Sequence, residues 1–138
     1  MKNRFYVDTS VWSDYFGNRS DGIRPLGEFA FQFLRRCQKN KWAVLVSPEV
    51  EKELLAYYPK EQVDLVFSTF RDIIVKVSYS KEQISEAFSF WAGTRKEFPF
   101  SDILHSVIAR DSHATLVCRD RHFFEMCLVD CVLPEEVD

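Results

Sequence analysis

Short unbroken apolar runs alternate along this chain with longer stretches in which apolar positions recur at helical spacing. Unbroken runs suit strands covered on both faces of a sheet, and a 3.6-residue recurrence suits helices with one covered face. The first run, Phe5-Tyr6-Val7, is closed by Asp8-Thr9-Ser10 and leads into an amphipathic segment over 11–16 that stops before Gly17. After a loop with Gly17, Asn18, Ser20, Asp21 and Gly22, residues 25–39 set Leu26, Phe29, Ala30, Phe33 and Cys37 on one helical stripe. Ala43-Val44-Leu45-Val46 reads as a second strand. Ser47 then supplies an N-cap and Pro48 a first helical residue, for a helix expected to reach Tyr58.

Val63, Val66, Phe67 and Phe70 mark another helix, which runs into the β-branched segment Ile73-Ile74-Val75-Lys76-Val77. Ser80-Lys81-Glu82-Gln83 has the form of a capping box and opens a helix whose expected stripe is Ile84, Ala87, Phe88 and Trp91. Past Pro99, Ile103, Leu104, Val107 and Ile108 outline a helix from Ser101. Thr115-Leu116-Val117-Cys118 reads as a strand ending at Arg119-Asp120, and a last short strand falls within 128–133. Strands that alternate with helices predict an α/β three-layer sandwich around a mostly parallel sheet of four or five strands, because parallel strands need crossovers that cover both faces. No linker or internal repeat interrupts the order, so residues 1–138 are expected to form a single domain.

Composition supports a packed globule. Hydrophobic residues make up 46% of the 138 residues and aromatics 15%, with four glycines and five prolines; a chain of this length buries about two-thirds of its unfolded surface. No apolar stretch reaches the ~20 residues of a membrane span, and no signal-peptide pattern opens the chain, which predicts a cytoplasmic protein without a membrane partner. Cys37, Cys118, Cys127 and Cys131 lack paired metal-ligand spacing and read as free thiols. Net charge is −3, an unusual balance for a protein that binds a polyanion. With four acids set aside in a metal site, the remainder would carry +1.

Four acids invite that step. In parallel sheets ligands bind beyond the carboxyl ends of the strands, near the point where strand order reverses. Asp8 and Asp120 each follow an apolar strand there, Asp102 opens a helix after Phe98-Pro99-Phe100, and Glu53 borders the apolar stripe of Val50, Leu54 and Tyr57. Taken singly, Asp8 reads as a helix cap, Asp102 as a first-turn acid, Glu53 as a solvated helix acid and Asp120 as a turn residue. Together they would repel unless a divalent cation neutralised them, and oxygen donors without a thiolate or imidazole cluster favour Mg2+ or Mn2+.

The segments Phe5-Tyr6-Val7-Asp8-Thr9-Ser10-Val11, Val46-Ser47-Pro48-Glu49-Val50-Glu51-Lys52-Glu53-Leu54, Ser101-Asp102-Ile103-Leu104 and Leu116-Val117-Cys118-Arg119-Asp120-Arg121-His122-Phe123, in this order and spacing, resemble the PIN-domain ribonucleases. These include the toxin halves of VapBC-type toxin–antitoxin pairs. The resemblance spans nearly the whole chain. It implies a PIN-like fold, a metal-dependent endoribonuclease acting on single-stranded or structured RNA, and Asp8, Glu53, Asp102 and Asp120 as catalytic, metal-binding acids. Glu49 and Glu51 rival Glu53, which is preferred because it precedes Leu54 and lies six residues after Ser47. The family commonly has Thr or Ser where this chain has Cys118, and a thiol donates hydrogen bonds poorly; Ser10 is a candidate hydroxyl beside Asp8. A cognate antitoxin and a homodimer are implied as partners, and Phe31, Leu65 and Phe90 lie off their helix stripes as apolar residues that such contacts would use.

Phosphodiester hydrolysis at a metal site needs no protein nucleophile. Arg119, Arg121 and His122, with Arg95 and Lys96, are the basic residues nearest the acids in sequence and the candidates for the RNA backbone. Trp12 is read as core and His105 as a polar-face residue. Two other readings compete: a catalytically weak PIN-like domain that binds RNA or a partner, and a phosphate-accepting receiver domain, which lacks support because Asp8 is followed by Thr9-Ser10 rather than paired with a second acid.

Overall fold

The computed structural model describes residues 3–138. Each apolar run forms a strand: β1 (Arg4–Val7), β2 (Ala43–Val46), β3 (Ile74–Lys76), β4 (Thr115–Val117) and β5 (Cys131–Val132). Between them lie α1 (Thr9–Gly17), α2 (Leu26–Asn40), α3 (Pro48–Leu55), α4 (Lys60–Thr69), α5 (Lys81–Gly93), α6 (Phe100–Asp111) and α7 (Arg121–Met126), and a 3-10 turn, Pro134–Glu136, follows β5. The strands pair in parallel in the order β3-β2-β1-β4-β5. Successive residues of a strand point to opposite faces, yet Phe5, Tyr6 and Val7 in β1 and Val44, Leu45 and Val46 in β2 are all buried. Both faces of the sheet are therefore covered, and the expected three-layer α/β sandwich holds with all five strands parallel.

The order reverses between β1 and β4: from β1 the chain builds outward to β3, then returns to place β4 on the other side of β1. That reversal opens a crevice beyond Val7 and Val117, which are register partners. Helix α6 is buried through seven consecutive residues, from Ile103 to Ala109. A helix with no solvent face over two turns carries whatever polar groups it has into the interior, where they need partners.

Several boundaries differ from expectation. The helix begun at Pro48 stops at Leu55 rather than reaching Tyr58, since Pro59 disfavours helical geometry in the residue before it and itself caps α4. Helix α7 replaces a simple turn after Asp120. On α5 the structure buries Ala87 but leaves Ile84 40% and Phe88 56% exposed, while Phe90 and Trp91 pack partly against the core. The stripe is thus rotated from the expected one, and Phe90 is not a free surface residue. Phe31 and Leu65 are exposed as expected and Trp12 is fully buried. Helices α1 and α2 approach closely: a Cβ on Gly27 would lie 2.5 Å from Asn18 Cα. No helix among the described residues is long and apolar enough to cross a membrane.

Candidate functional site

Asp8 sits one residue beyond β1, with its amide bonded to Val117 O at 2.9 Å. It caps α1, Oδ2 accepting the Ser10 amide at 3.2 Å and the Ser10 hydroxyl at 2.6 Å. Capping is therefore real, but an exposed N-cap would suffice for it, whereas Asp8 is only 6% exposed. Burial raises its carboxyl above the ordinary range, and the neighbouring charge of Glu53 adds to this, while His105 and the Ser10 bonds oppose it.

Asp102 enters the crevice from the first turn of α6. Burial, then the charge of Asp8, then that of Asp120 push its carboxyl up to about 6, against the pull of His105 and His122. Asp120 follows β4 as the N-cap of α7, accepting the His122 amide at 2.9 Å. Donor atoms of Asp102, Asp120 and His122 all lie within 4.8 Å of one another. Asp8, Asp102 and Asp120 thus act on one another electrostatically although they come from three distant segments.

Glu53 joins them through a buried network. Its Oε1 accepts the Thr9 hydroxyl at 2.7 Å and faces His105 Nε2 at 2.6 Å. His105 Nδ1 lies 2.6 Å from the Tyr6 hydroxyl, which lies 2.6 Å from Ser47 Oγ; Ser47 in turn caps α3 by accepting the Val50 amide. Burial would lower the basicity of His105, but the hydrogen bond to Glu53 and the charges of Asp8, Glu53 and Asp102 outweigh it and raise the net value. Burial likewise works against ionised Glu53, and the His105 bond, its charge and Thr9 overcome it, leaving that carboxyl lowered. The contacts of Glu53, His105, Tyr6 and Ser47 form one continuous chain, in which His105 Nε2 meets a carboxylate that only accepts when ionised. Burial raises the Tyr6 phenol far above its ordinary value, so it stays protonated.

The expectation that His105 lies on a polar face is overturned, because α6 has none at that position. Thr9 was also missed. The signals were present in outline: His105 lies one helical turn after Asp102, and Thr9 directly follows Asp8. Of the rivals to Glu53, Glu49 meets the Tyr79 hydroxyl at 3.4 Å and Glu51 pairs with Lys76, so neither belongs to this network.

Cys118 is fully buried on the end of β4. The neighbouring Cys131, burial and the charges of Asp8 and Asp120 all push the ionisation of its thiol up. Arg119 is corrected from its expected role at the RNA backbone. Its guanidinium, 13% exposed, meets Glu135 through both terminal nitrogens at 3.0 and 2.7 Å and Asp14 through Nε at 3.2 Å. Arg121 is 91% exposed, with only a 3.9 Å approach to Glu125.

The donor set suits a divalent cation. Four carboxylates face two imidazoles, the buried His105 and the partly exposed His122, so acidic groups outnumber basic ones in the crevice. The carboxylate oxygens are hard ligands of the kind Mg2+ and Mn2+ prefer, and His122 Nδ1 pairs with Asp120 Oδ1 at 3.1 Å and Asp102 Oδ2 at 3.4 Å.

No family model and no curated protein matches the sequence. Solved structures do match the fold. A VapBC2 chain from Rickettsia felis, crystallised with a promoter DNA fragment, superposes with a TM-score of 0.71 at 15% identity over 94% of this chain and 98% of that one. FitAcB from Neisseria gonorrhoeae gives 0.66 at 18% identity over 96% and 99%. Mycobacterium tuberculosis VapC20, described as a sarcin-ricin loop cleaving toxin, gives 0.65 at 16% identity over 91% and 97%. At these identities the likeness establishes a shared fold across nearly the whole chain.

Proposed function

We propose that this protein is a divalent-metal-dependent endoribonuclease of the PIN-domain kind that hydrolyses phosphodiester bonds of single-stranded or structured RNA as the toxin of a toxin–antitoxin pair. The observation that carries this reading is the closeness of Asp102 and Asp120, with the charge of Asp8 raising Asp102 and Glu53 joined through His105, at the reversal point of a parallel sheet. A shared fold with toxins, one of them an RNA-cleaving toxin by description, supports the substrate class.

Asp8, Asp102, Asp120 and Glu53 would hold Mg2+ or Mn2+. When bound, such an ion supplies activation of a water and neutralisation of charge on the scissile phosphate. The chain's own contribution is positioning. Ser10 fixes one Asp8 oxygen, Asp120 is oriented by the α7 amides, and Thr9 with His105 fixes Glu53. The hydrogen bond with His105 also holds the Glu53 carboxyl below its ordinary value, toward the ionised form a ligand needs. Because Asp8 and Asp120 sit where β1 and β4 pass into α1 and α7, and Glu53 and Asp102 lie on α3 and α6, their spacing is set by the packed core. Arg121 and the exposed edge of His122 are the basic groups left to meet RNA phosphates. Exposed Phe31, Leu65, Ile84 and Phe88 would suit the antitoxin and homodimer contacts implied by the resemblance.

Labelled RNA incubated with the purified protein and Mg2+ or Mn2+ tests the proposal. Cleavage should vanish on chelation and fall at least about 100-fold, roughly 2.7 kcal/mol in activation free energy, in Asp8→Asn. Activity undiminished by that change, or by chelator, sinks the assignment. A protein that binds RNA without cutting it would favour the catalytically weak alternative, with Cys118 as the residue to blame.

A further inference from the structure

We infer that Trp91, with Arg95 and Lys96 on the turn that follows it, is a stacking platform for an unpaired base, so that the RNA is single-stranded where it passes the α5–α6 turn. This rests on the proposed nuclease reading for the presence of RNA. It decides between a single-stranded and a structured substrate, and it adds Arg95 and Lys96 to the cations open to phosphate.

The turn holds an unfavourable shape. Arg95 and Lys96 both have left-handed backbone, with φ 56° and 60°, which Gly or Asn adopts more easily than a long basic side chain. Their amides nevertheless close on α5, that of Arg95 on Ala92 O at 3.1 Å and that of Lys96 on Trp91 O at 2.9 Å. Lys96 Nζ is thereby carried over the Trp91 ring, 4.9 Å from its centroid. Residues 94–99 hold two cations against one acid, Glu97, and neither cation joins an ion pair among the described residues. A chain of net charge −3 thus sets free positive charge beside an aromatic ring, the combination with which single-strand sites hold nucleic acid.

Two contacts tie this platform to the acids. Phe98, in the same turn, packs against the His122 ring at 5.8 Å between centroids and 75° between planes, and His122 Nδ1 lies 3.1 Å from Asp120 and 3.4 Å from Asp102. Trp91 packs against Phe100 at 6.1 Å and 81°, and Phe100 opens α6 two residues before Asp102. Phe88, 56% exposed, also meets the indole at 5.6 Å.

Magnitudes decide whether the ring is free for a base. An exposed ammonium over a ring is held by only about two- to fivefold, whereas a base stacked on an aromatic side chain gains about 5- to 150-fold in binding. A base therefore displaces Lys96, whose flexible stem lets the ammonium move to a phosphate. Duplex RNA keeps its bases within the helix and cannot use the ring.

Trp91 also supplies the probe. Of the three tryptophans, Trp12 is fully buried and Trp42 only 8% exposed, so Trp91 is the one a base can reach. A labelled single strand of about 12 nucleotides and its duplex are titrated by anisotropy into wild type in chelator, and with Mg2+ into Asp8→Asn protein. Trp91→Phe, Trp91→Leu and Lys96→Ala are compared in both settings, with thermal unfolding as the check on folding. The single strand should quench wild-type tryptophan emission. Its affinity should fall 5- to 150-fold in Trp91→Leu and less than about fivefold in Trp91→Phe, and Lys96→Ala should flatten its salt dependence by about 0.7 in slope. Duplex affinity should not respond to Trp91→Leu. Binding without quenching overturns the inference even if Trp91→Leu fails to fold, as does an equal loss of strand and duplex affinity in that variant. A change from dimer to monomer by size exclusion in Trp91→Leu overturns it too, since a second copy would then cover the ring. RNA cleavage by wild type with no effect of Trp91 removes the platform and leaves the nuclease reading standing, and quenching without cleavage does the reverse. Wild type that binds no RNA overturns both readings.

Discussion

Removing a carboxylate proposed as a metal ligand should make the metal-free protein more stable. Asp102 is the residue to change, because its carboxyl is displaced from an ordinary 3.8 to about 6 by burial and by Asp8 and Asp120. That displacement, at 1.36 kcal/mol per pH unit, corresponds to roughly 3 kcal/mol against folding at pH 8. With the Asp102 side chain 18% exposed and its helix-dipole contribution lost, about 0.3–1 kcal/mol, a net gain of about 2 kcal/mol is expected for Asp102→Asn. For 138 residues this is an increase in Tm of about 6 °C. The pH dependence has a definite sign. A carboxyl with a raised folded value binds its proton more tightly in the native state, so wild type recovers stability as pH falls through about 6 toward 3.8, and the gap between the two proteins closes there. Thermal unfolding of both proteins in chelator from pH 4.5 to pH 8 measures it. Manganese reverses the order, because an ion at 100 times its Kd adds about 2.7 kcal/mol to wild type alone. An Asp102→Asn protein no more stable than wild type at pH 8 in chelator would refute the claim that these carboxylates crowd one another.

Other substitutions probe the frame around the site. Arg119→Met should lower stability by about 3 kcal/mol in urea unfolding, because it leaves the buried Asp14 with only the 3.8 Å approach of the more exposed Arg19; wild-type stability with weakened RNA binding would restore Arg119 to the substrate. Arg121→Ala should do the reverse, leaving Tm within about 1 °C while weakening RNA binding in a salt-dependent way, which filter binding at two salt concentrations reads. His105→Phe removes the partner of both Glu53 and Tyr6, and should cost about 3 kcal/mol of stability in urea unfolding as well as RNA cleavage; a stable, active variant would dissolve the network argument. Gly27→Ala meets the Asn18 backbone and should cost about 1–3 kcal/mol by the same measurement, with no loss if α1 and α2 separate freely.

The parts of this molecule legible in its sequence are those fixed by local chemistry. An unbroken apolar run closed by Asp marks both a strand and the place where its carboxylate emerges, so Asp8 and Asp120 could be placed from a handful of residues each. Ser47 and Pro48 announced α3 in the same way, and Pro59 ended it for a reason just as local, although the apolar stripe through Leu54 and Tyr57 argued for a longer helix. His105 and Arg119 failed differently. Whether His105 faces water depends on which helix the sheet and its neighbours enclose on every side, and nothing in the periodicity of residues 100–111 distinguishes a half-covered helix from a wholly covered one when Ser106 and His105 interrupt its apolar positions. Arg119 looked like a phosphate ligand because it adjoins Asp120, but its partners, Asp14 and Glu135, lie 105 and 16 residues away. The same distance dependence explains why the four acids were convincing only as a set: each has a local task that satisfies it, and what sets them apart is the burial of Asp8 and the raised carboxyl of Asp102, which exist only once α1, α3 and α6 have packed. Burial is the ground on which the proposal goes beyond a cap for Asp8. A cap gains about 1 kcal/mol from a surface carboxylate, and nothing in that role requires the group to be enclosed beside other acids; a bound cation would replace the lost water.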